Sequence, residues 1–238
     1  MEKINLTISS SPHIRTSKNV SSVMRDVFIA LLPAALAGVY YFRVPALINI
    51  VVAVFGAVAA EYAVQKFMKR QVTVKDYSAA VTGLLLAMNV PASLPWWITL
   101  IGSIFAIVVV KQLFGGLGHN FTNPALAARA VMLASWPVQM TSWTTPGADA
   151  VSTATPLAVL KGVEGGQAAS LVDMLLGNTG GCIGETSALL LLLGGIYLIY
   201  RGIIPYHIPV IYISTVAVLS FLFSGFQISA ISYNVLAG

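Results

Sequence analysis

Charge is scarce in this chain. Asp, Glu, Lys and Arg together make up 9% of its 238 residues, against about 25% in a soluble globular domain. An ordinary water-soluble surface is therefore excluded. Cysteine is scarcer still: Cys182 stands alone, which rules out an intrachain disulfide and cannot by itself hold a metal cluster. It reads as a small packing residue. The three histidines are His13, His119 and His207, and no pair of His, Cys or acidic residues has metal-ligand spacing. No metal site is expected. The first 22 residues lack the apolar core of a signal peptide.

What is abundant is apolar. Hydrophobic residues are 57% of the chain and the mean hydropathy is +0.84. The composition predicts an all-α, polytopic transmembrane helical bundle forming one membrane domain. The pI near 9.4 does not point to nucleic acid. Excess Lys and Arg is what the cytoplasmic loops of a membrane protein carry.

The runs of apolar residues give the order. Residues 1–22 form a polar arm with Lys3, Arg15 and Lys18, and Arg25 and Asp26 open a span over 27–42. After the turn Arg43-Val44-Pro45, a second span covers 46–67. Glu61 lies near its end, close enough to the basic loop to pair with Lys66 or Lys69; the alternative is a functional buried carboxylate. Lys66, Lys69, Arg70 and Lys75 make the most basic loop. Residues 79–88 are apolar for only half a span and stop at Asn89-Val90-Pro91. They read either as a broken helix, which places polar backbone at depth, or as a short tilted helix ending at the surface. Trp96 and Trp97 are interface anchors and start a span to 113. A glycine-rich turn, 115–125, precedes an apolar run to 136 that contains Arg129. Arg129 requires protein, water or an anion around it, such as a carbonyl or carboxylate partner. In the connection 137–186, residues 155–160 and 167–176 read as short surface helices, and Glu185 as a cap-region acid or an ion-entry carboxylate. Spans follow at 188–200 and 208–223. The domain organisation is thus an arm (1–22), helices with the half-helix and turn (23–136), a long loop (137–186) and further helices (187–238).

The stretch 149–160 is a long polar interruption. Thr155 is a good N-cap and Pro156 suits the first helical position. From spacing alone Thr155 only caps a helix. Asp149-x-x-Ser152-x-Ala154-Thr155 also resembles the flavinylation motif of the membrane flavoprotein subunits in the Rnf and sodium-pumping NADH:quinone reductase complexes. Where this chain has Thr153, that family usually has Gly. The turn Gly115-Gly116-Leu117-Gly118-His119-Asn120-Phe121-Thr122-Asn123-Pro124-Ala125 and the glycine-rich 178–187 match the same family.

The resemblance implies several things. Thr155 would carry FMN through a phosphoester installed by a separate flavin transferase, with Ser152, Asp149, Thr153 and Pro156 shaping the motif. A second, non-covalent flavin, riboflavin or FMN, would lie among the helices, with Asn123 and Arg129 the best candidates beside it. The fold would be of inverted-repeat type, with broken helices, related to urea and ammonium channels. Other Rnf subunits would be partners, and electron flow would be coupled to Na⁺ or H⁺ translocation. The short arm favours the Rnf branch, in which ferredoxin is oxidised and NAD⁺ reduced. The alternatives are the B subunit of the quinone reductase branch and a channel or transporter without redox chemistry. Family members usually continue with a second half-helix unit, so the resemblance implies a truncated chain. By the positive-inside rule, the loop charges Lys3, Arg15, Lys18 and Arg25 at the first span, Lys66, Lys69, Arg70 and Lys75 after the second, Lys111 after the fourth and Arg201 after the sixth put the N-terminus in the cytoplasm of a bacterium or archaeon and the flavin loop outside the plasma membrane.

Overall fold

A computed structural model describes residues 19–144, 146, 155–156, 159, 170–185, 187–224, 226 and 228–237. Asp149, Ser152 and Thr153 lie outside the described residues, as do residues 1–18 of the arm and 167–169 of an expected surface helix. Among the described residues the regular elements are helices: α1 (Val20–Phe67), α2 (Ser78–Met88), α3 (Trp96–Phe105), α4 (Pro124–Ser135), α5 (Pro137–Met140), α6 (Leu171–Leu176), α7 (Ala188–Tyr200), α8 (His207–Phe223) and α9 (Ile228–Ala237). α3 continues as a π-helical segment, Ala106–Gln112, and short 3₁₀ turns occupy Val74–Asp76 and Ile183–Glu185. Among the described residues one helix, α1, is long and apolar enough to cross a membrane; Trp96–Gln112 and His207–Phe223 are shorter apolar helices.

α1 starts at Val20, where Asn19 and Ser22 exchange cap hydrogen bonds of 2.8 and 3.2 Å. The arm residues 20–22 and the pair Arg25–Asp26 are therefore already helical. The helix runs 48 residues, but Arg43 sits at φ 56, ψ −137, outside helical space. This is the position of the turn expected at 43–45. The chain folds back there: Ala34 and Ala35 from the first arm, and Ile50 and Val54 from the second, gather on Leu84 and Met88. A straight helix would separate residues 35 and 50 by about 22 Å.

Packing is inverted relative to a soluble protein. The inward residues of α1 are small, with Ala34, Ala46, Ala53 and Ala57 fully buried, while Leu36, Tyr40 and Phe55 are 65%, 77% and 72% exposed. Small residues let backbones approach where lipid removes the hydrophobic drive between helices. Gly83 of α2 is the extreme case: a Cβ there would lie 2.5 Å from the Ala53 carbonyl oxygen.

α2 ends inside the protein. Val90, Ala92 and Leu94 after it are buried, so a short helix ending at the surface is not what forms. The carbonyls freed by the break are met by buried Asn49, whose Nδ2 donates to Ala92 O at 3.2 Å and Leu94 O at 2.9 Å. Thr99 donates to Asn49 Oδ1 at 2.6 Å and fixes the amide.

The helix ends sort into two groups. Ser21 Oγ donates to Lys75 O, Arg70 donates to Gln112 O, and Arg201 pairs with Asp26 at 2.8 Å. The start of α1, the basic loop, the end of the π segment and the end of α7 thus share one end. At the other end Tyr41 donates to Leu176 O and Ser93 to Ser142 O. The connection after α5 leaves from that second end and α6 returns to it.

Candidate functional site

Thr155 is half-buried and non-helical, and Pro156 is the first helical residue after it. Val159 N donates to Thr155 O at 3.1 Å, the first bond of the turn that the Thr-Pro pair opens. Thr155 thus stands immediately before the helical turn that the Thr-Pro pair predicts. Asn123 stands likewise before α4: its Oδ1 accepts from Ala125 N at 3.0 Å, with Pro124 in the first turn.

Six residues further along α4, Arg129 reaches the broken end of α2. It donates to Asn89 Oδ1 at 3.3 Å and to Cys182 Sγ at 3.7 Å. One partner is a side-chain carbonyl and the other a thiol; neither is a carboxylate. Cys182 belongs to the glycine-rich turn 178–185, which enters the protein and pairs with the α2 break. Pro91 and Cys182 form an isolated antiparallel bridge, and Ile183 N donates to Val90 O at 3.0 Å. Gly184 makes this possible, since a Cβ there would lie 2.6 Å from Met88 Cβ. Glu185 Oε2 accepts from Cys182 N at 3.0 Å. Ser187 caps α7, and Glu185, two residues before it, closes the turn in the cap region of that helix. Asn123 stays in its own cap and does not join this cluster among the bonds seen.

A second polar site lies nearer the basic end. Glu61 and Lys111, each 1% exposed, form an ion pair of 2.7 Å. Glu61 Oε1 also accepts from Gln112 Nε2 at 2.6 Å and Gln65 Nε2 at 3.3 Å. Lys111 donates to Ser78 Oγ at 2.6 Å, and Ser78 to Asp76 Oδ1 at 2.5 Å. Glu61 Oε2 is buried with no hydrogen-bond partner among the described residues. Two adjacent side chains, Lys111 and Gln112, meet the same oxygen because the π segment widens the turn here: Leu113 N bonds Val108 O and Gly116 N bonds Lys111 O, five residues apart. Such bulges are frequent at functional sites.

This corrects two expectations. Glu61 is paired, but with Lys111 across 50 residues, not with Lys66 or Lys69. Lys111, which the sequence offers as a loop charge, is buried. The available signal was a cation and an amide at the end of an apolar run, one element away from an acid near the end of a span.

Residues 7–238 match the model of the NQR2, RnfD, RnfE family. The chain belongs to that family. Among its relatives, the D subunit of the Na(+)-translocating ferredoxin:NAD(+) oxidoreductase complex of Acetobacterium woodii is 54% identical over 93% of this chain and 71% of that protein. The D subunit of the proton-translocating ferredoxin:NAD(+) oxidoreductase complex of Clostridium ljungdahlii is 46% identical over 94% of this chain and 71% of that protein. The D subunit of the ion-translocating oxidoreductase complex of Alcanivorax borkumensis is 38% identical over 87% and 67%. As a member of the NQR2, RnfD, RnfE family, the chain is a bacterial membrane-complex subunit.

Proposed function

We propose that this chain is the D subunit of an ion-translocating ferredoxin:NAD⁺ oxidoreductase (Rnf) complex and that it carries FMN covalently on Thr155. The observation that carries the reading is the match of residues 7–238 to the family, with a 54% identical relative named as that subunit. Thr155 supplies a hydroxyl for the phosphoester from a half-buried position, where its backbone carbonyl accepts from Val159 N at 3.1 Å. In the modification the Thr155 hydroxyl oxygen bonds the flavin-side phosphorus of FAD, its proton is lost, and AMP leaves. The flavin would supply one- and two-electron redox chemistry; the protein supplies position and electrostatics. Asp149, Ser152 and Thr153 would present the motif to the transferase.

A second, non-covalent flavin would be riboflavin or FMN, and Arg129 at the α2 break is the cation best placed to meet it, with Asn123 at the foot of the same helix. The short α2, its buried break and the turn that meets it support the broken-helix architecture of channel-like inverted repeats. Buried Glu61, with one oxygen unpartnered among the described residues, is the carboxylate in this subunit we assign to Na⁺ or H⁺ exchange. The basic end, holding Arg25, Lys66, Lys69, Arg70, Lys75 and Arg201, would face the cytoplasm. Thr155 would then lie outside the plasma membrane. Partners would be the other Rnf subunits.

The test is intact mass and in-gel fluorescence of the chain co-expressed with an active flavin transferase. An FMN-sized adduct is expected on wild type and on Thr155→Ser, and none on Thr155→Val. An adduct on the valine variant, or none on wild type beside a modified control protein, overturns the tether.

A further inference from the structure

The basic end contains a cleft that the redox reading leaves unused. Asn19, Ser21, Ser22, Arg25, Lys75 and Tyr77 line about 570 Å³, within the range of about 300–1,000 Å³ typical of small-molecule sites. Its charge comes from two elements, α1 and the loop before α2, joined by the Ser21 to Lys75 hydrogen bond of 3.3 Å. Among the described residues no carboxylate lines it. The two nearest acids are engaged elsewhere: Asp76 accepts from Ser78 N and Oγ at 2.8 and 2.5 Å, and Asp26 holds Arg201 at 2.8 Å. Arg25 is 55% exposed and lies 4.0 Å from Asp26, so most of its charge faces the cleft and solvent. Tyr77 stands at the rim with φ 65, a left-handed conformation that a bulky residue holds only when its surroundings impose it.

The surface running away from the cleft is apolar. Ile29, Leu32, Leu36 and Tyr40 follow Arg25 along α1 at steps of four, three, four and four residues, which is one helix face. They are 42%, 36%, 65% and 77% exposed. A cationic cleft at the end of an exposed apolar track has the chemistry of a lipid: an anionic headgroup above, acyl chains along the helix. Basic pockets between membrane helices bind such headgroups.

We propose that this cleft binds an anionic phospholipid, its phosphate between Arg25 and Lys75 and its acyl chains along Ile29–Tyr40 of α1. The site rests on the membrane placement of the chain and not on the flavin. The lipid orders the start of α1 against the loop that leads into α2, and so bears on the packing of Ser78 beside Lys111.

The test uses the full chain in its purified complex, titrated with dioleoylphosphatidylglycerol or dioleoylphosphatidylcholine and followed by native mass spectrometry and thermal unfolding. Wild type is expected to retain one phosphatidylglycerol per chain and to be stabilised by it, with phosphatidylcholine inert. Arg25→Gln with Lys75→Gln is expected to weaken phosphatidylglycerol about 30-fold, from the loss of two basic residues near an anionic group. Arg25→Lys with Lys75→Arg keeps both charges and binding. Lys66→Gln with Lys69→Gln, outside the cleft, leaves binding unchanged. Equal retention by the double-glutamine variant, or equal stabilisation by phosphatidylcholine, overturns the site. So does full protection by millimolar inorganic phosphate, which would make it a free-anion site. Loss of a neighbouring subunit in the double-glutamine variant would make the cleft a protein contact and also overturn it. The same spectra report the flavin mass, so failure here is distinct from failure of the Thr155 reading.

Discussion

Lys111 and Glu61 set the terms at the scale of single residues. Removing either charge from water costs several kcal/mol, and among the described residues each is offset by the other, by donation from Gln112 and Gln65 to Glu61, and by donation from Lys111 to Ser78. Breaking one member of such a pair is therefore worse than removing both. Lys111→Met is expected to destabilise the purified subunit by about 3 kcal/mol, and Glu61→Met with Lys111→Met to recover most of that. Thermal unfolding in detergent reads both. If the double variant folds but the complex no longer couples electron transfer to ion uptake, the pair acts in exchange; full coupling in it would reduce the pair to structure. The pair was half legible in the sequence. Glu61 announced itself as an acid inside a span. Lys111 did not, because a lysine at the end of an apolar run looks the same whether it meets water or a carboxylate 50 residues away.

Among the elements, α2 depends on a single absent side chain. Gly83 lets its backbone touch that of α1 at Ala53 and Val54, where a Cβ would meet backbone atoms at 2.5 and 2.8 Å. Backbone does not yield as a side-chain tip does. Gly83→Val is expected to cost about 3 kcal/mol, at the upper end for overpacking, with loss of folded complex on size-exclusion chromatography; a wild-type profile would mean that α2 shifts freely. Asn123→Ala removes two cap bonds at α4 and is expected to cost about 1 kcal/mol, since the Pro124 start survives. The cap signals at Asn123 and Thr155 were readable because they are local. So was the early stop of α2 at Asn89-Val90-Pro91. Its closure by the glycine-rich turn was not: the bridge from Pro91 to Cys182 joins segments far apart in the chain, and nothing in either segment names the other. Glu185 was legible as an acid close to the start of α7; its bond to the backbone N–H of Cys182 in its own turn was not.

For the whole molecule, the sorting of helix ends carries the most weight. The loop charges read from the sequence included Lys111, which is buried, yet the asymmetry survives its removal. Arg25, Lys66, Lys69, Arg70, Lys75 and Arg201 gather at one end through contacts between α1, the basic loop and α7, while Arg43 stands at the opposite fold-back. The packing that gathers these charges at one end is independent of the charge rule that would turn that end toward the cytoplasm. The orientation is open to a direct measurement, because the sole native cysteine gives no background: Cys182 is fully buried. Thr141→Cys and Val72→Cys are both exposed sites, one at each end. In right-side-out vesicles a membrane-impermeant maleimide is expected to label Thr141→Cys at once and Val72→Cys only after permeabilisation. The reverse pattern would turn the molecule over and put Thr155, together with any flavin on it, on the cytoplasmic side. Electrons from a cytoplasmic donor would then reach the flavin without crossing the bilayer, and this chain's own part in coupling would rest on the buried Glu61 network.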